Sequence, residues 1–170
     1  MVALKLCINS GHTKFAAGTG AKGYLTESIE TRKIAYELMK LLADSNHEVV
    51  PAVFDRSSNN LKEVVTLANN EDVDLLVSIH LNAGGGSGVE CFTWNGKETK
   101  QAKGVCEELS KLGFKDRGIK KNNDLYILKN SKMPALLIEV CFVDNKTDYE
   151  LYKKLGINKI AQAIYKGITK

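Results

Sequence analysis

The stretch LLVSIHLNAGGGSG, residues 75–88, gives the strongest indication of the fold. Its first part, 75–79, is apolar at nearly every position, which is typical of a strand buried on both faces. His80, Asn82 and three consecutive glycines follow directly. Open α/β sheets bind their ligands at the carboxyl ends of strands, so we interpret His80 as a candidate functional residue. The alternative is a strand that simply ends in a flexible turn.

Segments with strand and helix periodicity alternate along the chain around this stretch. Strands are predicted at 2–8, 49–54, 73–79, 89–94, 125–128 and 135–140. Helices are predicted at 27–43, 61–68, 102–112, 146–155 and 158–170, with Ser57 or Ser58 capping the second. Because the strands are apolar at nearly every position, this alternation predicts an α/β fold whose sheet is covered on both faces.

Length and composition are those of one globular domain, which we assign to residues 1–170. Hydrophobic residues make up 44% of the 170 residues and charged residues 26%. No apolar run approaches the roughly 20 residues that cross a bilayer, and no membrane partner is expected. The start lacks the features of a signal peptide, so we expect a protein made in the cytoplasm and released, or one whose leader has been removed.

The charge and the cysteines exclude some classes of function. The net charge of +4 comes from scattered lysines, which greatly outnumber the arginines. Arginine is the usual reader of base edges, so no nucleic-acid partner is expected. The four cysteines lack CxxC spacing and fall in apolar segments, which predicts buried free thiols.

Two of the three histidines occupy matching places. His12 follows the first predicted strand as His80 follows the third, whereas His47 precedes a strand and is predicted to lie on the surface. Two histidines and one glutamate, with a fourth position open, form a catalytic zinc set. Glu27, at the start of the first helix, is the candidate carboxylate, and Glu30 is the alternative one turn further on.

A second carboxylate lies inside the segment ALLIEVCFVDN, residues 135–145. Glu139 is flanked there by apolar side chains, and burying an unpaired carboxylate is costly. We interpret it as a general acid/base, with a satisfied structural carboxylate as the alternative. By contrast, GTGAKG at 18–23 matches the dinucleotide fingerprint but lies too far beyond the first strand, so we interpret it as a flexible loop.

Four motifs together resemble one known family. INSGH at 8–12, TE at 26–27, SIHLNA at 78–83 and IEVCFVDN at 138–145 are similar to those of the zinc-dependent N-acetylmuramoyl-L-alanine amidases, the type 3 amidases of bacterial autolysins and phage endolysins. The resemblance covers nearly the whole chain and implies a three-layer αβα domain with a twisted, mostly parallel six-stranded sheet. It implies Zn²⁺ as the cofactor and the following site residues: His12, Glu27 and His80 as metal ligands, Glu139 as the catalytic residue, and Asn82 as a substrate-binding residue.

The resemblance also implies the reaction. The expected enzyme is a peptidoglycan hydrolase that acts on the cell wall. It cleaves the amide bond between N-acetylmuramic acid and the L-alanine of the stem peptide, through water activated by zinc. The first alternative is a zinc-dependent peptidase acting on the stem peptide, and the second is a non-catalytic wall-binding module. This chain departs from the family pattern at Thr13-Lys14-Phe15 and at Cys141, where the family tends to have glycine.

Overall fold

A computed structural model describes residues 3–15, 18–96 and 99–170. Val2, which the sequence places in the first strand, lies outside these ranges. The strands are β1 (Lys5–Asn9), β2 (Glu48–Ala52), β3 (Leu75–Asn82), β4 (Val89–Thr93), β5 (Asp116–Lys121) and β6 (Ala135–Phe142). The helices are α1 (Glu27–Asp44), α2 (Asn60–Asn70), α3 (Lys100–Lys111), α4 (Tyr126–Asn130) and α5 (Lys146–Ile168), with a 3₁₀ turn at Trp94–Gly96.

The six strands form one mixed sheet in the order β2-β1-β3-β6-β4-β5. Strand pairs in the described ranges are parallel except β4 with β6, which is antiparallel. The predicted α/β fold with a mostly parallel six-stranded sheet is therefore confirmed. From β1 the chain crosses to β2 on one side, and β3 lies on the other side of β1. The boundary between β1 and β3 is thus a topological switch point, where such sheets bind ligands.

Helices cover both faces of the sheet, as the apolar strands predicted. Helices α1, α3 and α5 share one core cluster with Leu6 and Ile8 of β1. Helices α2 and α4 pack on the opposite face, where Cys7 points. Successive strand residues thus alternate between two cores, which gives three layers.

The structure confirms the predicted state of the cysteines and the predicted boundary between the last two helices. All four cysteines are buried and free. Helix α5 consists of two helical segments that meet at Gly156. The φ of 75° and ψ of 164° at this glycine interrupt the helix, and the sequence predicted a boundary between two helices at this point. Within the described ranges, no helix is both long and apolar enough to span a bilayer.

The predicted strand at 125–128 is wrong. Ile127 and Leu128 are buried in the short helix α4, which packs on α2. The fifth strand is instead Asp116–Lys121, at the edge of the sheet. An edge strand pairs on one side only and stays partly exposed, so it does not require the apolar run by which buried strands are found.

Two local predictions are also wrong. His47 is buried, with 7% of its surface exposed, because its Nδ1 accepts a hydrogen bond from the Leu4 amide and its ring forms a T-shaped contact with the Tyr165 ring. Neither Ser57 nor Ser58 caps α2. Asn59 holds the cap position, and Ser57 Oγ accepts a hydrogen bond from its amide.

The glycine-rich loop after β3 is held by two aspartates near the start of α5. Buried Asp148 accepts hydrogen bonds from the Ser87 hydroxyl and from the Gly88 and Phe142 amides, at 2.8–2.9 Å. Exposed Asp144 accepts from two further loop amides, those of Gly84 and Gly85. Both aspartates therefore fix the backbone between β3 and β4, one in the core and one in solvent.

We expect Asp148→Ala to lower the free energy of unfolding by about 2 kcal/mol or more, because it leaves buried backbone amides unpaired. The matched control is Asp144→Ala, which also removes two backbone hydrogen bonds but should cost less than about 1 kcal/mol, since water replaces them. Urea unfolding of both variants measures the difference. Equal losses would contradict the role given to burial.

Candidate metal centre

Three side chains from different elements converge at the switch point. His12 lies in the loop after β1, Glu27 is the first residue of α1, and His80 lies in β3. Glu27 Oε1 is 3.0 Å from His12 Nε2 and 3.1 Å from His80 Nδ1. One potential ligand atom from each residue lies within 4.8 Å of the other two. The structure thus brings together the histidines and the carboxylate that the sequence singled out.

A tight turn after β1 delivers His12 to this point. Gly11 and His12 both have left-handed φ angles, of 54° and 55°. A Cβ at Gly11 would lie 2.6 Å from the Ile79 carbonyl oxygen and 2.8 Å from the His80 ring, so only glycine fits. Arg32 of α1 donates a hydrogen bond to the His12 carbonyl. The strained conformation of His12 is therefore held from both sides.

The Glu27 carboxylate is buried and fixed by the backbone. Its Oε2 accepts from the Ala21 amide at 2.8 Å, and Oε1 accepts from the Leu81 amide at 3.2 Å. Burial alone would raise the pKa of Glu27, but hydrogen bonds and charges from His12 and His80 outweigh burial and hold that pKa well below its usual range. The contacts with the two histidines therefore favour the ionised form of Glu27 in the middle of the cluster.

The two histidines respond differently to this carboxylate. Burial lowers the pKa of His12, but its hydrogen bond and charge interaction with Glu27 outweigh that effect and raise it. For His80, which lies deeper, burial dominates and lowers the pKa despite the same carboxylate. His80 is consequently the more readily available as a neutral ligand.

The cluster directs one potential ligand atom of each side chain toward its own centre. Nδ1 of His12 lies 3.0 Å from the Gly18 carbonyl oxygen, which can only accept a hydrogen bond, so Nδ1 carries a hydrogen and Nε2 is the nitrogen that faces Glu27. A hydrogen on Nε2 would make this contact an ion pair with Glu27, and a bound metal cation would take the place of that hydrogen. Two imidazole nitrogens and one carboxylate oxygen form a ligand set that suits zinc.

The alternative carboxylate is directed elsewhere. Glu30 Oε2 accepts a hydrogen bond from the Tyr152 hydroxyl at 3.0 Å, and Oε1 pairs with Lys33. Of the two glutamates that the sequence left open, the structure brings only Glu27 to the histidines.

Glu139 lies beside the cluster on the neighbouring strand. It is the register partner of His80 across the β3–β6 pairing, so both side chains are on the same face of the sheet. Its Oε2 is buried, and no hydrogen-bond partner for it occurs among the residues that the structure describes. Burial, then the charges of Glu27 and Glu90, raise the pKa of Glu139 to about 9. Glu139 as a whole is partly exposed, but its Oε2 is a buried carboxyl oxygen without a partner among the described residues.

Asn82 ends β3 and contacts a carboxylate that the sequence analysis missed. Its Nδ2 donates to Glu90 Oε1 at 2.7 Å, and Arg117 Nε donates to Glu90 Oε2 at 2.8 Å. Glu90 is also the register partner of Glu139. The sequence held the same signal for both glutamates, because Glu90 is a single carboxylate within an apolar strand (Val-Glu-Cys-Phe).

A groove of about 410 Å³ opens beside the histidines. It is lined by His12, His80, Thr13 and Gly18, and by residues 57–61 around the start of α2. The two candidate histidine ligands are therefore accessible from a surface groove rather than sealed in the core.

The family model described as N-acetylmuramoyl-L-alanine amidase matches residues 6–170. The chain belongs to this family. The N-acetylmuramoyl-L-alanine amidase CwlM of Bacillus licheniformis is 34% identical over 171 residues, which cover 96% of this chain and 65% of that protein. The endolysin of Bacillus phage SPP1 is 31% identical over 176 residues, which cover 95% of this chain and 64% of that protein.

A solved structure of the same architecture agrees with this amidase membership. The catalytic domain of the CD27L endolysin targeting Clostridia difficile has a TM-score of 0.89 and 34% identity, over 98% of this chain and 97% of that domain. Curated relatives also include two Clostridium perfringens proteins, 35% and 33% identical over 98% of this chain. The chain spans about half of their length, 51% and 52%.

The raised pKa of Glu139 predicts a pH dependence of stability in metal-free protein. Above the ordinary pKa of glutamic acid the unfolded chain loses this proton, whereas the folded protein keeps it up to a pKa of about 9. The folded state then binds more protons, so stability falls as pH rises through this window. Relative to Glu139→Gln, the wild type should lose about 2 kcal/mol or more between about pH 5 and about pH 8.

Urea unfolding in the presence of a chelator measures this difference, because the shared contributions of other groups cancel between the two proteins. Identical pH dependence of wild type and Glu139→Gln would contradict the account of Glu139 as a buried, unpaired carboxyl.

Proposed function

We propose that this chain is a zinc-dependent peptidoglycan hydrolase that cleaves the amide bond between N-acetylmuramic acid and the L-alanine of the stem peptide. The observation that carries the proposal is the convergence of His12, Glu27 and His80 beside Glu139, whose Oε2 has no hydrogen-bond partner among the described residues. Membership of the amidase family supports it, as do the names of an amidase and an endolysin among the relatives. Residues 1–170 would form a single catalytic domain.

His12, Glu27 and His80 would hold the zinc ion through one atom each, leaving a further position open to the groove. When bound, zinc supplies a Lewis acid that polarises a carbonyl group, acidifies water and stabilises the ionised form of a neighbouring carboxyl group. The chain contributes a rigid setting, since the Glu27 oxygens are fixed by backbone amides.

Glu139 would take a proton from the attacking water and return it to the nitrogen of the departing L-alanine. Two features suit it to this task. Its Oε2 has no competing hydrogen-bond partner in the described part of the chain, and its environment permits the protonated form near neutral pH. Asn82 would border the substrate on the same side of the site as Glu139. Its position is fixed by a hydrogen bond to Glu90, which also accepts a hydrogen bond from Arg117.

The substrate would be cell-wall peptidoglycan, bound across the groove between the histidines and residues 57–61. Mass spectrometry of purified wall material digested by the protein tests the bond that is cut. We expect intact muramic acid and released peptides that begin with L-alanine. Peptides cleaved within the stem would instead identify a stem-peptide peptidase, and the absence of any cleavage would favour a binding module.

Replacement of Glu27 by Gln should strongly weaken zinc binding, because it removes the anionic ligand from the centre of the cluster. Glu30→Gln is the matched control on the same helix and should leave zinc affinity unchanged, since Glu30 contacts Lys33 and Tyr152 instead. Titration calorimetry with zinc compares the two. A greater loss in Glu30→Gln would move the third ligand by one helical turn.

Glu139→Gln should still bind zinc but hydrolyse peptidoglycan at least ~100-fold more slowly, because the amide cannot accept the proton of the attacking water. Zinc content and wall-hydrolysis rate are measured on the same preparation. Normal turnover would remove Glu139 from the reaction, whereas loss of zinc would make it a ligand.

A further inference from the structure

A buried chain of hydrogen bonds leads away from the side of His80 that faces the sheet interior. Nε2 of His80 lies 3.0 Å from Ser78 Oγ, and Ser78 Oγ lies 2.7 Å from Asn9 Oδ1. Ser78 is fully buried and Asn9 is 2% exposed, so water does not compete for these contacts. The other ring nitrogen of His80, Nδ1, faces Glu27.

The direction of each hydrogen bond follows from the two ends of this chain. Asn9 Nδ2 donates to the Ala52 carbonyl at 2.8 Å, and Asn9 Oδ1 accepts from the Gly11 amide at 3.1 Å. The Ala52 carbonyl oxygen can only accept a hydrogen bond and the Gly11 backbone N–H can only donate one, so the orientation of the Asn9 side chain is fixed. Oδ1 must therefore accept the proton of the Ser78 hydroxyl.

A serine hydroxyl has one proton, and Ser78 uses it on Asn9. Toward His80, Ser78 Oγ can consequently act only as an acceptor, so Nε2 of His80 carries a hydrogen, and in the neutral ring that binds a metal Nδ1 keeps the lone pair. His12 has the opposite arrangement, because its Nδ1 donates to the Gly18 carbonyl and its Nε2 faces Glu27.

We propose that Asn9 and Ser78 are positioning residues that commit His80 to bind the metal through Nδ1, while His12 binds through Nε2. The inference rests on the metal site of the proposed function but on neither its substrate nor its reaction. A hydrogen-bonded second nitrogen orients a ligating imidazole and raises its basicity. The chain of hydrogen bonds would thus act on metal affinity through His80 without touching the metal.

The backbone pairing of three strands builds this chain of hydrogen bonds. Asn9 at the end of β1 is the register partner of both Ala52 in β2 and Ser78 in β3. Ala52, which accepts from Asn9, and Ser78, which accepts from His80, therefore belong to the sheet, and the Gly11 amide belongs to the turn directly after β1. A one-residue slip of β1 would direct the Asn9 side chain to the opposite face and break the chain of hydrogen bonds.

NMR of protein labelled at the histidine nitrogens and loaded with an NMR-active cadmium isotope tests the assignment directly. We expect scalar coupling of cadmium to Nδ1 of His80 and to Nε2 of His12, and a slowly exchanging hydrogen on Nε2 of His80. His47 should show no coupling and serves as the internal reference. Coupling to Nε2 of His80 would overturn the inference and leave the metal site intact, whereas absence of cadmium binding would overturn both.

A pair of serine variants tests the positioning role. Ser78→Ala removes the acceptor for His80 and should weaken zinc affinity by ~10–100-fold, with faster exchange of the Nε2 hydrogen. Ser10→Ala is the matched control: Ser10 is equally buried, yet its Oγ has no hydrogen-bond partner in the described residues, so zinc affinity should not fall. Equal affinities of the two variants would contradict the positioning role.

Discussion

A buried carboxylate between two imidazoles is the constraint on which the site depends. Glu27 is fixed by backbone amides on one side and lies about 3 Å from a nitrogen of each histidine on the other. For His12, the Gly18 carbonyl accepts a hydrogen bond from Nδ1, so Nε2 is the nitrogen that faces Glu27. The buried negative charge of Glu27 requires positive charge nearby, which a protonated imidazole or a bound metal cation would provide. The same three side chains form the ligand set of the candidate metal centre.

The order of the strands turns this constraint into a site. Because β1 and β3 are neighbours, the loop after β1 reaches His80 directly, and Gly11 permits the close approach that a side chain would prevent. Because β6 pairs with the other edge of β3, Glu139 stands beside His80 in register. Backbone pairing thus places next to the cluster a carboxyl group whose Oε2 lacks a hydrogen-bond partner among the described residues.

Much of the fold and the site could be predicted from the sequence, for identifiable physical reasons. Buried strands are apolar at nearly every position and the helices are amphipathic, so their periodicity predicts both. His12, His80 and Glu139 were recognisable as polar residues beside or inside such strands. Strand β5 was not recognisable, because an edge strand such as Asp116–Lys121 carries no apolar run.

Other features depend on contacts between distant residues. The apolar run at 125–128 is too short to distinguish a strand from the short helix that it forms. The burial of His47 depends on the Leu4 amide and on Tyr165, far away in the chain. The residue pattern allows either Glu27 or Glu30 as the carboxylate, and only the folded structure brings Glu27 to the histidines and directs Glu30 to Tyr152. The sequence carries one indication of a role for Asn9 and Ser78, because each is a polar residue in an otherwise apolar strand.

Anomalous X-ray diffraction from crystals grown with zinc, recorded on both sides of the zinc absorption edge, tests the central claim most directly. The account predicts one strong anomalous peak within about 2.0–2.2 Å of His12 Nε2, His80 Nδ1 and a Glu27 oxygen. A zinc peak held by other residues, or the absence of a peak at this cluster, would contradict it.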